Sequence, residues 1–326
     1  MKFIPAKSTV AAVAAGLLLA GAAGAQEKFP SRPIRVLVPF SPGSSTDIVA
    51  RMISSKMTES WGQPVVVENR PGAGGRLASE MVLRAAPDGY TLMIVANGHT
   101  ANVSLYKDLP YNTLKDFAGV TFLVNFPSVL TAAAGSEFKS VRELVAYAKA
   151  NPGKANYGSS GMASGSHIAG EMFNSAAGVN VVHVPFKGPA EALTATLGGS
   201  VHYSFNSIPA VLSLLKGGKV VGLAVSTDTR SPVLPDMPTL AESGVPGFSF
   251  STWHGFVAHG KTPAAIKSQL AQESARILAL PDVRERLVAM GATPKATSPE
   301  EFDAFLAEDT VRTAKVIKDA GISVAQ

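Results

Sequence analysis

The sequence predicts a two-lobed α/β protein, and three observations predict it. Short apolar runs alternate with helical patterns along most of the chain, and two such series follow one another with no long linker or repeat between them. The 326 residues are also enough to bury two cores of ordinary size. The first series opens at 34–39 with an apolar, β-branched run, passes through a Pro/Gly/Ser loop and continues as a helical pattern over 47–60. The unit repeats as a strand at 65–68, the loop Pro71-Gly72-Ala73-Gly74-Gly75, a helix at 77–85 and, after the turn Pro87-Asp88-Gly89, a strand at 91–96. The second series has strands at 122–130, 156–158, 181–185, 203–206 and 220–226, with helices at 141–150, 166–176 and 190–197. Helical patterns dominate the last third, at 264–279, 282–290 and 299–320. Alternation of this kind implies parallel sheets covered on both faces. The expected lobes are 26–125 with 227–326, and 126–226, so that the chain crosses between them twice.

The first 25 residues, 1–25, have the form of a secretion leader. Lys2 and Lys7 give a positive start, 10–20 is an apolar run, and Ala23-Gly24-Ala25 offers a small-x-small cleavage site. The expected product is a soluble periplasmic chain beginning near Gln26, because the run is shorter than the roughly 20 residues that span a bilayer and no later stretch is apolar for as long. The 29 Lys and Arg against 24 Asp and Glu give a net charge of +5, or +3 once Lys2 and Lys7 leave with the leader. That mild excess agrees with an anionic ligand without demanding one, and no Lys/Arg block or aromatic-interleaved basic stripe points to nucleic acid. Without cysteine the exported chain has no disulfide framework and relies on packed cores.

In open α/β sheets, ligands sit beyond the carboxyl ends of strands, where loops lead into helix N-termini. Gly43-Ser44-Ser45-Thr46-Asp47 is such a loop, and its amides and hydroxyls at the positive end of a helix dipole would seat an anion. With Ser45 or Thr46 as an ordinary N-cap and Asp47 as a favourable first-turn acid, the same residues need no ligand. A second loop, 157–167, is rich in glycine and serine and also opens a helix. Two such loops, one per lobe, are more than capping requires and would grip both ends of an elongated anion. Other chemistries lack their spacing. Ser160 misses the second glycine of a nucleophile elbow by one position, and Leu77 stands where a dinucleotide fingerprint needs its third glycine. His99, His167, His183, His202, His254 and His259 show no paired ligand spacing, so neither metal nor cofactor is expected. His99, His167 and Lys187 lie in or beside candidate cleft loops, and each reads equally as a ligand donor or as a structural or solvated side chain.

Taken together, Pro33-Ile34-Arg35-Val36-Leu37-Val38-Pro39-Phe40, the Pro42-Gly43 loop ending in Asp47, and Asn69-Arg70-Pro71-Gly72-Ala73-Gly74-Gly75 resemble the Bug family, the periplasmic solute receptors of tripartite tricarboxylate transporters. The likeness continues through Ala86-Pro87-Asp88-Gly89-Tyr90-Thr91, Asn156-Tyr157-Gly158-Ser159, Val182-His183-Val184-Pro185-Phe186-Lys187-Gly188 and Leu234-Pro235-Asp236-Met237-Pro238-Thr239. It implies a periplasmic binding protein (Venus-flytrap) fold whose two α/β lobes close on a dicarboxylate, tricarboxylate or aromatic acid. It further implies a monomer that hands this ligand to membrane transporter subunits and is not an enzyme. By position, the first lobe would contribute Phe40, Ser41, Gly43, Ser44, Ser45, Thr46, Asn97, Gly98 and His99. The second would contribute Ser159, Ser160, Ser164, Gly165, Ser166, His167, Lys187 and Asn206, with Phe40, Phe205 and Trp253 against the body of the ligand. Two departures stand out: Ser44 and Ser45 occupy positions where relatives often carry glycine, and His254 one where they often carry an apolar or aromatic residue. A ligand-presenting sensory subunit would share all these features, and an exported hydrolase using Ser160 is a third reading.

Overall fold

Two sheets are built around one long strand in the computed structural model, which describes residues 29–319 except 73, 74, 107 and 163. The leader expected at 1–25 lies outside the described residues. Strands β1 (Ile34–Val38), β2 (Val65–Asn69) and β3 (Thr91–Val95) run parallel in the order β2-β1-β3. Successive side chains of β1 serve two different cores, as the period of two requires. Ile34, Val36 and Val38 face Val49, Ile53 and Met57 of helix α1 (Ser45–Trp61), whereas Leu37 faces Ala78 and Val82 of α2 (Arg76–Arg84). This double burial is why the strand reads as an unbroken apolar run.

Strand β4 (Phe117–Ala133) joins the sheets: residues 117–127 pair antiparallel with β9 (Ser251–His259), which itself pairs antiparallel with β3. Residues 128–133 pair instead with β7 (Tyr203–Ser207) and β8 (Val220–Val225) of the second lobe, where β5 (Asn156–Ser159) and β6 (Val182–Pro185) extend the sheet in parallel. The chain thus crosses on β4 and again on entering β9. Buried Ser226 ties the crossings together: its hydroxyl accepts from the Ser128 amide (2.8 Å) and donates to the Phe250 carbonyl (2.8 Å). Helix α11 (Pro299–Asp319) adds a third link, with Phe302 and Leu306 in the first lobe's core and Ile317 in the second's.

The expected lobe boundary at 227 moves. Leu240, Val245, Phe248 and Phe250 pack in one core with Phe205 and Leu223, and the backbone after β8 folds back to bond Val225, so 227–250 lies with the second lobe. Elements unread in the sequence include α3 (Gly98–Leu105), α8 (Ile208–Lys216) and β9. Helix α3 has no side-chain cap, and β9 mixes polar and apolar residues and is a strand because it has neighbours on both edges. Close packing of α11 on β9 needs Gly255, where a Cβ would stand 2.2 Å from Phe302 Cζ and 2.8 Å from the Thr121 carbonyl. Gly255→Ala is therefore expected to cost about 1–3 kcal/mol of stability by overpacking, read as a lower urea midpoint; an unchanged midpoint would show that α11 moves aside freely.

Candidate ligand-binding cleft

Helix α1 starts at the carboxyl end of β1. Ser44 is its N-cap: the hydroxyl accepts from the Asp47 amide (3.3 Å) and the Ser44 amide donates to the Ser41 carbonyl (3.2 Å). The next two amides, Ser45 and Thr46, have no acceptor within the helix by its geometry. Asp47 is buried behind the loop and organises it, accepting from the Gly43 amide (2.9 Å), Asn69 Nδ2 (2.9 Å) and Arg51 Nε (3.0 Å). Burial alone would raise this carboxyl, but the hydrogen bonds from Arg51, Gly43 and Asn69 together outweigh it and hold it below the usual range.

Helix α6 (Gly165–Ala177) repeats this construction at the carboxyl end of β5 in the other lobe. Ser164 caps it, accepting from the His167 amide (3.3 Å), and the Gly165 and Ser166 amides are the two left without helical acceptors. Ser160, Ser164 and Ser166 form one hydroxyl cluster, with Ser166 Oγ 3.0 Å from Ser160 Oγ and 3.1 Å from Ser164 Oγ. Beneath it, Ser159 is fully buried, its hydroxyl 2.6 Å from His183 Nε2, and His183 stacks on His167 with ring centroids 3.9 Å apart. Burial pushes His183 down to about 4, and burial together with the neighbouring His183 pushes His167 to about 3, so both rings are neutral near pH 7.

The two helix starts meet the same strand. A Cβ on Gly165 would lie 2.7 Å from Thr252 Oγ1 and 3.5 Å from Asn97 Oδ1, and Ser45 Oγ lies 3.1 Å from His254 Nε2. Thr252 and His254 are two residues apart on β9, and Asn97 holds the strand by accepting from the Trp253 amide (3.3 Å) and donating to the Ser251 carbonyl (3.4 Å). His254 is buried, its Nδ1 is 2.7 Å from the Trp253 carbonyl, and burial lowers it to about 4 despite that bond.

Residues 49–322 match the model of a family described as the tripartite tricarboxylate transporter family receptor. Protein BugT of Bordetella pertussis is 34% identical over 297 residues, covering 90% of this chain and 91% of BugT. Among solved structures, MatC from Rhodopseudomonas palustris with bound malate superposes with a TM-score of 0.81 at 36% identity, covering 89% of this chain and all of that one. Rpa4515 of R. palustris with adipate gives 0.85 at 34% identity, covering 91% of this chain and all of its own. The chain belongs to the tripartite tricarboxylate transporter receptor family. It is a solute-binding receptor with the two-lobed α/β fold of periplasmic binding proteins.

Several residues expected at the receptor's ligand have other work in the structure. Trp253 is buried among Phe122, Phe302 and Phe305, and Phe205 among Phe173 and Phe248, so neither lines the cleft and only Phe40 stays half-exposed. Asn206 Nδ2 is engaged by Thr131 Oγ1 (2.6 Å) and Ser204 Oγ (2.7 Å) within the sheet. His99 packs edge-on against Phe117, with burial lowering it to about 4, and Thr46 and His167 are also buried. The Gly43 amide is taken by Asp47, Ser41 and Lys187 are exposed, and Gly98 is the first residue of α3. Ser44, Ser45, Ser160, Ser164, Gly165 and Ser166 remain as half-exposed groups at the two helix starts, over Asn97. Thr252 and His183 were not among the expected ligand residues: Thr252 lies on the unread strand β9, and His183, though inside the motif at 182–188, reads there as a strand residue. Asp47→Asn is expected to cost about 1–3 kcal/mol at pH 7 through the lost charge-assisted bonds. Because the folded carboxyl titrates below its ordinary value of about 3.9, its contribution is present above that pH and lost as pH falls through the folded value. Denaturation curves of wild type and variant should therefore converge below about pH 4; a gap constant with pH would contradict the assignment.

Proposed function

We propose that this receptor captures a small organic carboxylate between the N-termini of α1 and α6 and presents the closed, loaded form to membrane transporter subunits, with no chemical step. One observation carries the reading: two serine-capped helices, one from each lobe, bring their free first-turn amides to adjoining positions on β9. Each offers a positive dipole end and two uncommitted N–H groups, which is the chemistry a carboxylate oxygen needs. A ligand bridging both helix starts has contacts only the closed form can make, so binding shifts the population toward closure. Adipate and malate, bound by the relatives described above, are carboxylates of the size and bipolar form this arrangement suits.

The hydroxyl groups favour binding over hydrolysis. Ser159, beside His183, is fully buried, Ser160 bonds Ser166, and the His254 ring beside half-exposed Ser45 directs its Nδ1 to a main-chain carbonyl in place of an acid; a serine nucleophile needs both exposure and a base oriented by a third group. We further assign 1–25 as a cleaved leader and the periplasm as the working compartment, supported by the leader's composition and the family's periplasmic members, and propose a monomer as the working unit. The test is a thermal-shift screen of the chain from Gln26, freed of ligand, against mono-, di- and tricarboxylates and aromatic acids, followed by calorimetry. At a hundred times its dissociation constant a ligand adds about 2.7 kcal/mol of stability, which raises Tm measurably. A shift with one carboxylate class is the expected outcome; a well-folded protein that responds to none of them would overturn carboxylate capture.

A further inference from the structure

Resting on that capture reading, the histidine beneath α1 says what the ligand carries besides carboxylates. His254 Nδ1 lies 2.7 Å from the Trp253 carbonyl, and a carbonyl oxygen can only accept, so Nδ1 bears the ring hydrogen. The ring is buried between Phe126, 5.2 Å away between centroids, and the first turn of α1, and burial keeps it neutral near pH 7. A neutral ring with hydrogen on Nδ1 leaves Nε2 as a bare acceptor, and its partner is Ser45 Oγ at 3.1 Å. Ser45 has a single hydroxyl hydrogen, and this contact takes it. What the hydroxyl can still offer the cleft is its lone pairs.

We propose that His254 is a specificity-determining residue that fixes the Ser45 hydroxyl as a hydrogen-bond acceptor, so that the receptor selects a carboxylate bearing a hydroxyl or ammonium donor on the carbon next to the carboxyl group. The donor sits next to the carboxyl because the Ser45 amide and the Ser45 hydroxyl belong to one residue: the amide serves the carboxylate oxygen, and the hydroxyl faces whatever the adjoining carbon carries. A plain dicarboxylate leaves the Ser45 lone pairs without a partner or sets them against a carboxylate oxygen, and an unpaired polar group is penalised once the cleft excludes water. Without His254 the Ser45 hydrogen is released to bind an oxygen, and the discrimination is lost.

Calorimetry with matched acids reads this directly: succinate against malate and aspartate, and glutarate against 2-hydroxyglutarate and glutamate. In the wild type the substituted acid of at least one set is expected to bind about tenfold or more tightly than its plain partner, and the hydroxyl and amino arms show which donor is preferred. In Ser45→Ala and His254→Phe that ratio should fall toward one, with the plain acid gaining affinity in His254→Phe. Equal or weaker binding of the substituted acids in the wild type overturns the inference and leaves carboxylate capture standing, as does a preference that survives both variants. Failure of every acid to bind removes the capture reading and this inference with it. A readout independent of ligand is nitrogen NMR of the wild-type histidines: His254 should show a protonated Nδ1 and a bare Nε2 whose shift moves in Ser45→Ala. Hydrogen on Nε2 instead would overturn the proposal even if the His254 variant fails to fold.

Discussion

Strand β9 has β3 on one edge and β4 on the other, and that double pairing is the constraint on which the rest of the molecule depends. It turns a polar, glycine-containing segment into a rigid bar at the junction of the lobes. Its alternation then sends Trp253 into the aromatic layer under α11 and His254 toward α1. Asn97 and Ser226 secure the bar with hydrogen bonds at its start, and Gly255 admits the ring of Phe302. The starts of α1 and α6 are both positioned against this one element.

The electrostatics of the cleft come from backbone, with side-chain charge kept out of it. His167, His183 and His254 are held neutral by burial, and Asp47, the acid nearest the first loop, is turned away and neutralised by Arg51. In the proposed site, the described residues offer a pair of helix dipoles with the first-turn amides of α1 and α6 and a set of hydroxyls. Such a site needs no counter-ion rearrangement when it closes. It discriminates by where donors and acceptors stand, which is how one hydroxyl under the control of a buried ring can decide selectivity.

Much of the fold was legible because it follows from period and punctuation. The runs of β1 and β3, and the loops preceding α1 and α6, are local patterns whose physical cause is local: two-sided burial and the demand of a helix start for a cap. The two Ser/Gly loops that open α1 and α6 were therefore legible as helix starts in the sequence. The apolar lining was not. Phe205 and Trp253 have the composition of cleft residues, but aromatic rings go where the largest dry contact is available, and both found it inside the cores. Asn206 bonds within the sheet and His99 packs on Phe117 for a related reason, since a buried polar side chain takes up its nearest neighbour or a ring.

By itself the sequence determined the two α/β series, their family and the Ser/Gly loops that open α1 and α6, since each is written in residues that are neighbours along the chain, while the caps fell on Ser44, where Ser45 or Thr46 was expected, and on Ser164. Tertiary structure alone decided that 227–250 joins the second lobe, that β9 is a strand, and that Ser45 Oγ meets His254 Nε2. The last joins residues 209 apart, and no period or spacing encodes such a meeting. It arises from strand pairing and core packing acting together, which bring a residue outside both loops against the start of α1.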